Sequence, residues 1–568
     1  MPFNTIGQAF RSALVIASLV ALASTSCAKS VSVDQPVTMA IVNARIWTGN
    51  PRQPWAEAIA LSGDRIAVVG SNDDVTRAAG TTHPIDAHGG MITPGFIDSH
   101  VHFLDGGHQL SAVQLRDVKT PAEFISTIKA YAATVPAGTW ITGGDWDHQR
   151  WGGELPRHEW IDSVTPNNPV AIARLDGHMI LANAVAMRVA KVTNGTKNIA
   201  GGTIVRDGAG APTGIFKDNA QGIIFDVIPD RTPEMVDREM AAAMKYVSEQ
   251  GVTSVAHMGT WGDLAVFERA HKAGTMITRI SAAVPISSWA TLRDTIAARG
   301  RGDDWLHIGG LKGFADGSLG SHTAAFLQPY TDAPNDTGLL VTPTDSLYEW
   351  GAAADKAGLQ LIVHAIGDRA IRNQLDIYER IEKENGARDR RFRIEHAQHI
   401  APSDIPRFAA LHVTASMQPY HAIDDGRWAE KEIGHERAKT SYAWKSLLDS
   451  GARLAFGSDW DVAPPTPLEG IYAATTRRTT DGKNPGGWIP EQAIGVEDAL
   501  RAYTSGGAYA MFADSSRGTL EPGKLADLTV IDRDITKIPP AEIKDAHVVM
   551  TIVGGKVVFQ RPAAATTH

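Results

Sequence analysis

The stretch MITPGFIDSHVHFLDGG (91–107) sets His100 and His102 one residue apart, behind an apolar run that breaks at Pro94-Gly95. Residues two apart on a strand share a face, so both imidazoles can point at one place. Four further polar residues recur in later apolar runs. Lys312 lies in HIGGLKGFAD, His364 ends LQLIVHA, His396 ends RFRIEHA and Asp459 closes RLAFGSD. Neutral imidazole and carboxylate are ligands for zinc and similar divalent ions. Each residue alone has a plainer reading. A single histidine at a strand end is commonly a hydrogen-bonded polar group, Asp459 can cap a helix, and Lys312 can sit on the surface. A bare lysine cation on a buried strand is costly, and conversion to a carbamate bridging two metals removes that cost. Taken together, the pattern favours the metal reading.

These positions gain their meaning from the elements that must hold them. The middle of the chain alternates apolar runs with helical patterns: GFIDSHVH, GVTSVAHM, ITRISAAVP, HIGGLKGFAD, LQLIVHA, RFRIEHA, LHVTASMQP and RLAFGSD. Eight such strands predict an α/β chain with a (β/α)8 barrel over about 93–510, whose sites form at the C-terminal ends of the strands. A stretch of about 103–232 is too long for one crossover and reads as an inserted subdomain after the first strand. Alternating segments over 37–92 look like short antiparallel strands. The same texture returns over 517–560, with Gly554-Gly555 as a hairpin turn. Both chain ends therefore predict one small β domain.

Composition bounds the rest. The 568 residues carry a net charge of -9, 43% apolar and 21% charged residues, as in a soluble globular protein, and no basic block suits nucleic acid. MPFNTIGQAFR followed by SALVIASLVALAS reads as a signal peptide over 1–28. ASTSC places Cys27 as a lipoprotein cysteine, while SCA offers an ordinary cleavage site; the protein is accordingly expected to be exported, either periplasmic or lipid-anchored to the envelope. Cys27 is the single cysteine, so neither an intrachain disulfide nor a cysteine nucleophile is available. No G-x-S-x-G elbow is present, and DGSLGS lacks its spacing, which argues against a serine hydrolase.

PGFIDSHVH, GLKGFADGSLGSHTAAF, VHAIGDRAI, RIEHAQ, FGSDWDV and GTLEPGKLADLTVID resemble the amidohydrolase superfamily, and most closely its family 3 branch of metal-dependent hydrolases, over about Ala40 to Val558. RLDGH (174–178) and GGTIVRDGAGAPTGIFKDNA (201–220) also resemble that branch. The resemblance implies a barrel with a β-sandwich side domain and one or two divalent ions, zinc foremost, with Mn2+, Fe2+ or Co2+ as alternatives. It implies His100, His102 and Asp459 at the more buried metal, His364 and His396 at the second, and carboxylated Lys312 as the bridge. Lys217, in IFKDNA, is a rival lysine placed in the insertion. His322 stands where many relatives carry arginine.

The resemblance implies hydrolysis of an amide or related C–N bond in a small molecule (N-acyl, N-formyl or cyclic), with Asp459 carrying the proton. His178, Asp145, Trp146 and His322 are the expected substrate contacts, and a packed core is the other reading of the GDWDHQRW loop. A homodimer is the expected assembly. An esterase or lactonase using the same metal site, and a periplasmic binding or regulatory protein on a degenerate scaffold, are the alternatives.

Overall fold

The eight apolar runs form one parallel sheet in a computed structural model that describes residues 36–562. Its strands are β1 (Phe96–Val101), β2 (Val252–Met258), β3 (Arg279–Pro285), β4 (Leu306–Phe314), β5 (Gln360–Ala365), β6 (Arg393–His396), β7 (Thr414–Met417) and β8 (Arg453–Phe456). Neighbours follow sequence order from β1 to β8. A parallel bridge between Val101 and Trp460, just past β8, joins the two edges and closes the barrel. Every residue of β1, β2, β5, β6 and β7 is buried, as parallel strands covered on both faces must be.

The crossovers are helices with legible ends. Trp261–Ala273, which follows β2, starts at Thr260, whose hydroxyl accepts from Asp263 N–H while Asp263 caps in return. It stops at Gly274, where φ is +67°. Leu264, Val266 and Phe267 are its buried residues, each adding about 1.5–3 kcal/mol of apolar burial.

Both chain ends meet in two packed sheets. One orders Arg65–Gly70, Ala58–Ser62, Met39–Val42 and Ile85–Asp86; the other runs from Lys556–Gln560 through Val548–Val553, Leu528–Ile531, Met91–Pro94 and Arg45–Trp47 to Trp55–Ala56. Ile41, Ile59, Leu61 and Ile66 of the first pack with Ile46, Ile92, Leu528 and Ile552 of the second. Gly554 and Gly555 have φ of +56° and +72°, the double positive φ a two-residue hairpin turn needs. One expectation is corrected: the N-terminal strands are not all antiparallel. Met39–Val42 pairs parallel with Ile85–Asp86, and Arg45–Trp47 parallel with Met91–Pro94. Helix Asn72–Ala79 intervenes and returns the chain in its original direction.

Between β1 and β2 stands a further six-stranded sheet, ordered Gly202–Arg206, Pro212–Asp218, Met179–Ala182, Ala171–Arg174, Gly143–Trp146 and Val113–Gln114. Helix Pro121–Ala132 covers one face with Phe124 and Ile128. The segment 1–28, with Cys27, and the tail Ala563 to Thr567 lie outside the described residues. Among the described residues no helix is long and apolar enough to cross a membrane.

Candidate metal centre at the barrel mouth

β1 carries Asp98 and His100 at alternate positions, and His102 follows just past its end, before the helix Phe103–Gln109. Asp98 accepts from the Ser458 hydroxyl at 2.6 Å, from Ser458 N–H at 2.9 Å and from His100 N–H at 3.3 Å. Burial pushes its carboxyl up to about 7. This clamp ties β1 to the segment after β8, and Asp459 N–H donates to His100 O at 2.7 Å. Asp459 is thereby delivered to the strand end where the two histidines stand.

Three donor atoms converge there. Asp459 Oδ1 lies 3.3 Å from His100 Nε2 and 3.4 Å from His102 Nε2. His100, His396 and Asp459 each offer a ligand atom within 4.8 Å of the others. The His396 ring centre is 4.8 Å from that of His100 and 4.5 Å from that of His364. Lys312 Nζ, from β4, stands 3.2 Å from His100 Nε2. His396 and Asp459 take φ of +70° and +63°, a region non-glycine residues rarely enter; strain of this kind is kept where the surrounding structure fixes a site.

Outer partners fix the tautomers. His100 Nδ1 donates to Glu395 Oε2 at 2.5 Å, leaving the Nε2 lone pair facing Asp459. Glu395, wholly buried, is held by Arg393 through Nε at 2.8 Å and Nη2 at 2.9 Å. His396 Nδ1 donates to Gln418 Oε1 at 2.9 Å, and His364 Nε2 to Gly317 O at 3.0 Å.

Burial holds His100, His364 and His396 well below the ordinary histidine range, with Lys312 adding to the effect on His100, His178 on His364 and His364 on His396. They are neutral at pH 7, the form that binds metal. Burial opposes a proton on His102, but the Asp459 contact prevails and raises its affinity. Burial also draws the Lys312 amine down to about 8, against the pull of Glu395 and Asp459.

A divalent cation fits this donor set. Asp459 Oδ1 is buried and has no hydrogen-bond partner among the described residues, although two imidazole nitrogens face it. An uncompensated buried carboxylate oxygen is expensive unless an ion completes it.

Above the centre opens a cavity of about 700 Å3, lined at its floor by His102, Lys312, His364, His396 and Asp459. The insertion supplies one wall through His178, whose Nδ1 bonds Asp218 at 2.7 Å and whose ring centre is 5.0 Å from that of His364. Asp145 also lines the cavity. The structure thus brings together His100, His102, Lys312, His364, His396 and Asp459, with His178 and Asp145 at the wall. Two expected contacts are corrected. Trp146 is wholly buried in the core of the insertion, its indole N–H on Ile172 O at 2.9 Å and its ring edge-on to Phe124. Its neighbour Asp145 takes the side facing the cavity. His322 stacks on Tyr330 with ring centres 4.4 Å apart, its Nε2 3.6 Å from Asp332 and 3.7 Å from Glu432, and does not line the cavity. The rival Lys217 is on the insertion strand Pro212–Asp218 and donates to Ser321 O at 2.6 Å.

Sequence reasoning missed His421. It follows β7 in SMQPYHAIDD and lines the cavity, with Nε2 unpartnered and 3.9 Å from Asp459 Oδ2. It lies in the helix Pro419–Asp425 rather than at the end of β7, so the strand-end signal that marked His364 and His396 was absent there. Glu395 and Gln418 were also missed, because orienting roles leave no spacing of their own.

Sequence and fold comparisons agree with this geometry. The sequence model of the "Amidohydrolase family" (Amidohydro_3) matches residues 84–559. The chain is 40% identical over 533 residues to "Protein LONG AFTER FAR-RED 3" of Arabidopsis thaliana, covering 91% of each chain. It is 28% identical over 544 residues to "N-substituted formamide deformylase" of Arthrobacter pascens, covering 92% of this chain and 98% of that one. Among solved structures, an uncharacterized metal-dependent hydrolase from Pyrococcus horikoshii OT3 superposes with a TM-score of 0.72 at 28% identity, over 88% of this chain and 99% of that one. The barrel, its converging donors and a match over most of the sequence show that this chain belongs to the amidohydrolase family, as a metal-dependent hydrolase.

Proposed function

We propose that the chain hydrolyses an amide or related C–N bond (N-acyl, N-formyl or cyclic) of a small molecule, with zinc as its ion. The observation that carries this reading is the unpartnered Asp459 Oδ1 between two imidazole nitrogens on the cavity floor. His100, His102 and Asp459 would hold one ion, with His364, His396 and carboxylated Lys312 available for a second. Such an ion, when bound, acidifies water and polarises a carbonyl.

The chain's own groups divide the remaining work. With Oδ1 turned to His100 and His102, Asp459 Oδ2 is the oxygen left to take a proton from the attacking water and return it to the leaving nitrogen. His178, fixed through Nδ1 by Asp218, presents its other nitrogen for the substrate carbonyl. The insertion wall narrows access of bulk water. The relative named N-substituted formamide deformylase supports a C–N bond as the target. A purely regulatory scaffold is the weaker reading, since such a scaffold has no need to keep all six donor positions filled around one centre.

The test is a hydrolysis screen of N-acyl, N-formyl and cyclic amides, with esters and lactones beside them, using zinc- and manganese-loaded protein. Turnover that survives complete chelation would sink the reading. Asp459→Asn should lose about 10²–10⁴-fold in kcat, and retained turnover would contradict the proton-carrying role.

A further inference from the structure

The cavity has two unlike walls. One is apolar: Phe314, Val341, Phe225 and Ile228 line it. They are contiguous, for Val341 N–H bonds Ala315 O at 3.0 Å and Asn219, just before the helix Gly222–Phe225, bonds Val341 O at 3.4 Å. This wall adjoins His364, whose ring centre is 5.4 Å from that of Phe314. Phe314 and Phe225 are 36% and 46% exposed, unusual for phenylalanine and here turned toward the cavity.

The other wall, on the β1 and β8 side, is acidic. Asp105, Asp145 and Asp461 line it. Asp105 and Gln109 sit four residues apart on the helix Phe103–Gln109 and so share a face. Gln109 Nε2 donates both to Asp145 and to Asp461 O, which gathers the three aspartates into one patch. The nearby cations are already engaged. Arg116 Nη2 lies 3.3 Å from Asp145 Oδ2, and Arg231 is shared between Asp105 at 3.2 Å and Glu239 at 2.9 Å. Asp461 has no ion-pair partner among the described residues. Beside the patch, His421 is 7% exposed with Nε2 unpartnered and aimed at the cavity, a polar group that a bound ligand would complete.

Resting on the amide-hydrolase reading, we propose that the substrate joins an apolar acyl group to an amine that carries a second, positively charged group. Asp459 fixes the orientation. It hands its proton to the leaving nitrogen, and Asp461 is two residues further along the same segment, so the amine arm lies along the acidic wall. The acyl arm lies along Phe314, Val341 and Phe225. In the reaction the C–N bond breaks and a C–O bond forms from water. One water proton passes through Asp459 to the amine, so an apolar carboxylate and a diamine leave. Substrates with a free carboxylate on the amine arm meet like charge and are disfavoured.

The experiment compares phenylacetyl amides of 1,4-diaminobutane, pentylamine and 5-aminopentanoate, which place a cation, a methyl and an anion at the same reach. With zinc-loaded full-length enzyme, kcat/KM is expected to fall about tenfold from cationic to neutral, and further to anionic, each tenfold step being about 1.4 kcal/mol. Asp105→Asn with Asp461→Asn should bring the cationic-to-neutral ratio close to one. Equal rates, or a preference for the anionic amide, overturn the substrate assignment while leaving amide hydrolysis intact. If none of the three is cleaved, the wider amide screen separates the two readings: turnover of other amides there overturns the substrate assignment, and turnover of none overturns the hydrolase reading on which it rests.

Discussion

Glu395→Gln isolates the orienting layer beneath the metal centre. Glu395 accepts from His100 Nδ1 and from two nitrogens of Arg393, all fully or almost fully buried. The substitution removes the charge, and an amide N–H turned toward His100 forces the ring proton onto Nε2, the atom that faces Asp459. Losing such an outer partner costs about 10–100-fold in metal affinity. Separately, Arg393 keeps a buried cation without its carboxylate, a loss of about 3–5 kcal/mol in stability. The two effects can be separated, because Arg393→Met added to Glu395→Gln removes the stranded charge and should recover part of the stability but none of the metal affinity. The assay is zinc competition against a chromophoric chelator, on protein shown by circular dichroism to be folded, alongside urea denaturation of the chelated form. Wild-type zinc affinity in Glu395→Gln would refute the tautomer argument. Recovery of zinc affinity in the double variant would show that fold damage, not ring orientation, explained the loss.

Other outcomes follow from the same geometry. Lys312, drawn down to about 8, has a neutral amine population able to take up CO2, so metal-free protein reloaded with zinc should regain activity faster with added bicarbonate; equal recovery without it would mean that the free amine serves. Trp146→Ala should cost about 3–5 kcal/mol in the insertion, read as lost hydrogen-exchange protection over 113–218, while metal content holds. His322→Ala should leave kcat/KM unchanged, and a drop in kcat would restore the contact that its stacking on Tyr330 argues against. Burial holds His399 down to about 3, so in acid the unfolded chain binds a proton that the native state does not. Between about pH 6 and about pH 4 the stability of wild type relative to His399→Gln should therefore fall by about 1.4 kcal/mol per pH unit, and a flat difference would refute the buried neutral state.

The strands were legible because their signal is local. Each barrel strand is a short apolar run, and a ligand at its end is visible as the residue where polarity returns, as at His364, His396 and Asp459. Lys312 stood out by the cost of burying it. What stayed hidden depends on partners distant in sequence. Trp146 and Asp145 are neighbours in one aromatic-rich loop, and only the pairing of Gly143–Trp146 with Ala171–Arg174 decides which of them faces the cavity. His322 sits in a motif dense with glycine and serine; its partners Tyr330 and Asp332 follow in the same loop, and only Glu432 comes from a distant segment, the helix Ala429–Ile433. The parallel pairings at the N-terminus were missed because alternation of apolar residues reports a strand but not its direction.

Met91–Pro94 leads directly into β1, and it is flanked by Arg45–Trp47 on one side and by Leu528–Ile531 on the other, with Thr93 opposite Thr529. The platform from which the first barrel strand departs is thus completed by residues more than four hundred positions later. During synthesis the barrel emerges before its own footing is finished, and the edge of Met91–Pro94 stays open until the end of the chain is released. A nascent chain or a C-terminally shortened fragment should consequently be a poor folder and a good client for chaperones, although every metal ligand is already present in it.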